Sequence, residues 1–79
     1  MFEKTIMLNS FEDVKKFVDI ACSKDYDIEL LSGKYIVNAK SIMGVFSLDL
    51  TKPLVVAAHC ENNAEFARQM EQFSKDQKR

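Results

Sequence analysis

The sequence predicts an α+β fold of order βαββαβα: an open-faced sandwich with helices on one face of a four-stranded antiparallel sheet. Three observations lead there. Short segments alternate apolar and polar residues with the period of a strand. Two longer segments carry apolar residues at helical spacing. Ser32-Gly33-Lys34 has the composition of a hairpin turn, with glycine free to take φ > 0. At 79 residues the chain has room for one domain, residues 1–79, around one core.

Taken in order, Phe2 to Leu8 reads as the first strand, with Ile6 and Leu8 on one face and Thr5 and Met7 on the other. Asn9-Ser10 breaks it. Ser10-Phe11-Glu12-Asp13 fits a capping box, so a helix begins there. Phe11, Val14, Val18, Ala21 and Cys22 form its apolar side, Phe17 borders that side, and the helix frays near Ser23-Lys24-Asp25. Tyr26 to Leu31 is the second strand, with Ile28 and Leu30 alternating against Asp27 and Glu29. Tyr35 to Ala39 returns as the third. Ser41 is placed to cap a helix of about two turns reaching Leu48, in which Gly44 costs about 1 kcal/mol relative to Ala unless packing or a partner requires it. Pro53 leads into the fourth strand, Leu54 to Cys60, where a missing N–H is tolerated. Asn62 or Asn63 caps the last helix, along which Phe66, Met70 and Phe73 follow i, i+4, i+7 spacing. The tail Lys75 to Arg79 reads as a frayed, solvated helix end.

Composition narrows the function. A net charge of −1 gives no general attraction to nucleic acid or to an acidic membrane surface. No segment has the length and apolarity to span a bilayer, and Met1-Phe2-Glu3-Lys4 does not begin a signal peptide, so the cytoplasm is the expected compartment. Cys22 and Cys60 do not make a disulfide framework. Adjacent His59 and Cys60 point to opposite faces of a strand and have no spaced companions, so no metal or other cofactor is expected. Neither a nucleophile–base pair nor a phosphate-cradling glycine loop is present, and the chain does not read as an enzyme.

One stretch is more specific. Gly33-Lys34, Val37-Asn38, Lys40-Ser41-Ile42-Met43-Gly44-Val45 and Ser47-Leu48 resemble the signature of the HPr family, phosphocarriers of the bacterial sugar phosphotransferase system, with one extra residue before Val37. The resemblance is strong only from about Gly33 to Leu48, and it implies the same sandwich over the whole chain. It implies that Ser41 is the position phosphorylated by a regulatory kinase in many Gram-positive bacteria. It also implies that Met43, Phe46 and Leu48, with Lys40 beside them, form a docking patch for protein partners: an HPr kinase, phosphotransferase-system proteins or regulators. From helical spacing, Ile42 and Val45 are the pair expected inward and Met43 and Phe46 the pair left on the more exposed strip. Packing in the core is the alternative for Met43, Phe46 and Leu48. Ser41 is an N-cap whether or not it is phosphorylated, and a phosphate there would be favoured by roughly 0.3–1 kcal/mol.

The carrier site departs from the pattern. HPr relatives hold a histidine within G-x-H-A-R-P at the start of the first helix, where backbone N–H groups and the arginine hold the phosphate. This chain has Leu8-Asn9-Ser10-Phe11-Glu12-Asp13-Val14, with Phe11 near the histidine position and no His, Arg or Pro. Two acids there oppose an incoming phosphate. The expected function is therefore that of a non-carrier adaptor, binding partners through Ser41 to Leu48 under control of Ser41 phosphorylation. Two alternatives stand beside it. One is a phosphocarrier using an atypical residue, for which His59 is the only histidine. The other is an interaction module with no phosphate chemistry, including a homodimer through Met43 and Phe46.

Overall fold

The computed structural model describes residues 1–61 and 63–74. Its elements are β1 (Phe2–Ile6), α1 (Phe11–Cys22), β2 (Ile28–Ser32), β3 (Tyr35–Asn38), α2 (Ile42–Phe46), β4 (Leu54–Ala58) and α3 (Ala64–Met70), with a 3₁₀ turn at Glu71–Phe73. The strands form one antiparallel sheet in the order β1-β4-β2-β3. This is the predicted βαββαβα sandwich.

Strand alternation decides the two faces. Ile6, Ile28, Leu30, Leu54, Val56 and Ala58 point inward, where the helices deliver Val14, Phe17, Val18 and Ala21 from α1, Val45 from α2, and Phe66 and Met70 from α3. Phe73 from the 3₁₀ turn closes this core and meets Phe17 edge-to-face, with centroids 5.9 Å apart. Phe17 has no exposed surface, so truncating it to alanine would cost about 3–5 kcal/mol, much of the stability of so small a protein. The second face carries no helix among the described residues. There the register aligns Thr5, Val55, Leu31 and Ile36 across all four strands, and Glu3, Ala57, Glu29 and Asn38 beside them.

Several boundaries differ from the reading of the sequence. The first strand stops at Ile6 rather than Leu8, because the Met7 N–H turns away to donate to the Phe73 carbonyl at 2.7 Å. Leu8 is nevertheless buried. The second strand begins at Ile28 rather than Tyr26, the third ends at Asn38 rather than Ala39, and the fourth at Ala58 rather than Cys60. On α1 the buried stripe is Val14, Phe17, Val18 and Ala21; Phe17 is its centre, while Phe11 and Cys22 are exposed. The buried stripe is centred a fraction of a turn from the axis that spacing alone gives. Asn63 caps α3, accepting from the Phe66 N–H at 2.9 Å, and Phe73 lies in the 3₁₀ turn rather than in the helix proper. Asn62 and the tail 75–79 lie outside the described residues.

Candidate functional site

The signature stretch is built as a chain of local hydrogen bonds. Ala39 is buried and anchored to β2, its N–H donating to the Ile28 carbonyl at 2.9 Å. The next two amides fold back on Asn38: Lys40 donates to its side-chain oxygen at 2.8 Å, and Ser41 to its carbonyl at 3.0 Å. This turn aims Ser41 at the start of α2. Its hydroxyl accepts from the Gly44 N–H at 3.2 Å and its carbonyl from the Val45 N–H at 3.0 Å, as an N-cap requires. The helix is shorter than the two turns expected. Ser47 ends it, donating its hydroxyl to the Gly44 carbonyl at 2.6 Å.

Around α2 the residues separate. Val45 is fully buried and Ile42 partly buried against the core. Met43 is 78% exposed and Phe46 38%. Phe46 does not stand alone: its ring stacks on that of Phe11, with centroids 5.5 Å apart and planes 14° from parallel. Phe11 itself is 61% exposed. The Phe11 ring is thus part of the same apolar surface as α2. Sequence reasoning missed Phe11 as a surface residue because no local pattern reports that the start of α1 lies against the end of α2.

Leu48 sits elsewhere. It is partly buried and lines a shallow groove of about 660 Å³ between the β2–β3 hairpin and the α2–β4 connection, together with Lys34, Val37 and Lys52 but neither Met43 nor Phe46. Lys40 is also engaged. Its ammonium donates to the Lys24 carbonyl at 2.9 Å, just past the end of α1, where a cation complements the helix dipole. The Cys22 thiol donates to the Lys40 carbonyl at 3.4 Å. Lys40 therefore ties α1 to the loop that positions Ser41.

The first turn of α1 is occupied by its own side chains. Ser10 accepts from the Asp13 N–H at 3.1 Å, and the Asp13 carboxylate accepts from the Asn9 N–H at 3.1 Å. An internal carboxylate thus takes a backbone donor at the helix end where an anion would otherwise be drawn. Exposed Glu12 adds a second negative charge. His59 lies at the far end of β4 with its Nε2 3.5 Å from a Glu29 carboxylate oxygen, another repulsive neighbour for a phosphoryl group. Among the described residues no group of three His, Cys, Asp or Glu side chains is placed to hold a metal ion, and no helix is long and apolar enough to cross a membrane.

Two groups are electrostatically perturbed. Thr51 donates both its hydroxyl, at 2.5 Å, and its N–H, at 3.1 Å, to Asp49 Oδ1, and these bonds hold that carboxyl below its usual range. Burial pushes the Tyr26 phenol up, helped by the neighbouring Cys60 and the charges of Glu65 and Asp25.

No protein-family model matches the chain, and neither does any curated protein. Among solved structures the chain is similar to the crystal structure of HPr-C-His from Thermoanaerobacter tengcongensis, with 25% identity over 91% of this chain and 89% of that one and a TM-score of 0.75. The fold is HPr-like, in agreement with the resemblance carried by residues 33–48.

Proposed function

We propose that this protein is a non-carrier member of the phosphotransferase network, a regulatory adaptor that binds protein partners through the exposed face of α2. The observation that carries the reading is the stacked pair Phe11–Phe46. On this reading Phe11 stands where the family holds its phosphorylated imidazole, and its ring extends the α2 patch, so a contact surface takes the place of a group-transfer centre. The occupied first turn of α1 supports this reading, because Asp13 and Glu12 resist a phosphate there.

On this reading Met43, Phe46 and Phe11 supply the contacts, while Leu48 lies apart in the hairpin groove and Lys40 acts by holding the loop that positions Ser41. Met adapts its shape to a partner, and aromatic rings bury large areas at low entropic cost. Ser41 is the control point. Its exposed hydroxyl caps α2, and a phosphate would add about −2 charge at the rim of an apolar patch without removing the cap. That changes complementarity and desolvation for a docked partner while leaving the fold in place.

Incubation with an HPr kinase and ATP, with an authentic HPr in parallel, tests the reading. The expected result is acid-stable phosphate on Ser41, absent in Ser41→Ala and strongly reduced in Phe46→Asp. An unlabelled protein beside a labelled HPr would remove the phosphorylation switch and leave an interaction module without phosphate chemistry.

A further inference from the structure

The sheet has two edges, and they are guarded very differently. β1 carries Glu3 and Lys4 within the strand, and the chain returns along it through a bridge between Ile6 and Ser74. Charged side chains on the strand and a covering segment are usual protections of a sheet edge. β3 has neither. Its residues Tyr35-Ile36-Val37-Asn38 contain no charge, no proline and no bulge, and Tyr35 and Ile36 are 66% and 60% exposed.

The hydrogen-bonding phase of this edge follows from the register. Ala39 donates to Ile28, so alternation directs the backbone groups of Val37 and Tyr35 toward β2 and those of Ile36 and Asn38 outward. The outward Asn38 carbonyl is taken by Ser41. Ile36 keeps both an N–H and a carbonyl for another strand. α2 does not obstruct it: Gly44 approaches the Val37 side chain, which lies on the core face, not in the plane of the sheet.

We propose that a second copy of this chain occupies the edge, the two β3 strands pairing antiparallel about a two-fold axis at Ile36. In that register Ile36 exchanges both hydrogen bonds with its counterpart, and Tyr35 of each copy lies opposite Val37 of the other. Lys34 of each copy then lies opposite Asn38 of the other, whose neighbour across the sheet is Glu29. The charges select this arrangement. The hairpin end of the edge carries Lys34 beside the Lys52–Asp49 ion pair, a net positive charge, and the far end carries Asp27 and Glu29, so an antiparallel pair brings the basic end to the acidic end, whereas a parallel pair would match like with like. On the open face the two Ile36 side chains meet between half-buried Leu31 residues, making one apolar row across an eight-stranded sheet.

One strand pair buries less than the roughly 1,000 Å² of a stable interface, so the association is weak, with a dissociation constant on the order of 0.1 mM. Sedimentation equilibrium and amide exchange on the full chain, from micromolar to millimolar concentration, test it. The expected result is a dimer at high concentration, weakened by salt, with rising protection at Ile36 and Asn38. Ile36→Lys opposes like charges on the axis and should weaken the dimer roughly tenfold or more. Lys34→Glu should weaken it, and adding Glu29→Lys should restore it, which separates interface effects from misfolding. A monomer throughout, a dimer indifferent to Ile36→Lys, or a dimer that Phe46→Asp disrupts would overturn the proposal; the last would move the interface to α2.

Discussion

Removing either ring of the Phe11–Phe46 stack gives a quantitative test of the candidate site. The rings are 5.5 Å apart and nearly parallel, within the range of an offset-stacked pair, worth about 0.5–1.5 kcal/mol beyond area burial. Neither ring is in the core, so single truncations are tolerable: Phe46, 38% exposed, should cost about 1–2 kcal/mol on alanine substitution, and Phe11, 61% exposed, about 1 kcal/mol. The double variant should cost less than the sum by roughly 1 kcal/mol, because the stack is lost only once. In an 79-residue protein such a coupling is equivalent to about 4–8 °C in Tm. Urea unfolding of the four proteins, followed by far-ultraviolet circular dichroism, gives the cycle. Additive losses would refute the stack as a solution feature, and with it the inclusion of Phe11 in the binding face.

Three further outcomes follow from local geometry. Gly33 sits at φ +61° and should lose roughly 1 kcal/mol on substitution by alanine, whereas Gly44→Ala should be neutral or stabilising by up to about 1 kcal/mol, since its new Cβ meets Ser41 Oγ at 3.4 Å and Val37 Cβ at 3.5 Å; both are read from denaturation midpoints. Lys40→Met removes the ammonium from the Lys24 carbonyl and should cost about 1–2 kcal/mol, with faster amide exchange at the end of α1 as its local signature. The Tyr26 phenol is raised above its ordinary value of 10.0 in the folded state, so its contribution to stability is complete below pH 10 and is lost as pH rises through the folded pKa; unfolding of wild type and Tyr26→Phe across this alkaline range should show that extra loss only in the wild type.

Much of the architecture was legible because local and tertiary preferences agree. Ser10, Ser41 and Asn63 cap the helices they precede, and Gly33 takes positive φ as the first central residue of a two-residue II′-type hairpin turn. Ile42/Val45 against Met43/Phe46 divided as helical spacing required. What escaped was set by contacts between distant segments. The end of β1 depends on Phe73, and the identity of the buried stripe on α1 depends on where the sheet lies beneath it. The meeting of Phe11 with Phe46 depends on the packing of α1 beside α2, which no periodicity within either helix encodes. Lys40 is the clearest case: its motif suggested a surface contact, yet its ammonium is spent on the end of α1.

The start of α1, with Asp13 and Glu12 in its first turn, should not accept a phosphoryl group. Mass analysis of the chain after incubation with phosphoenolpyruvate and the general transfer enzyme, with an authentic HPr in the same tube, tests it most directly. An acid-labile phosphate is expected on the HPr and none on this protein. A phosphoryl group on residues 9–13, or on His59, would contradict it.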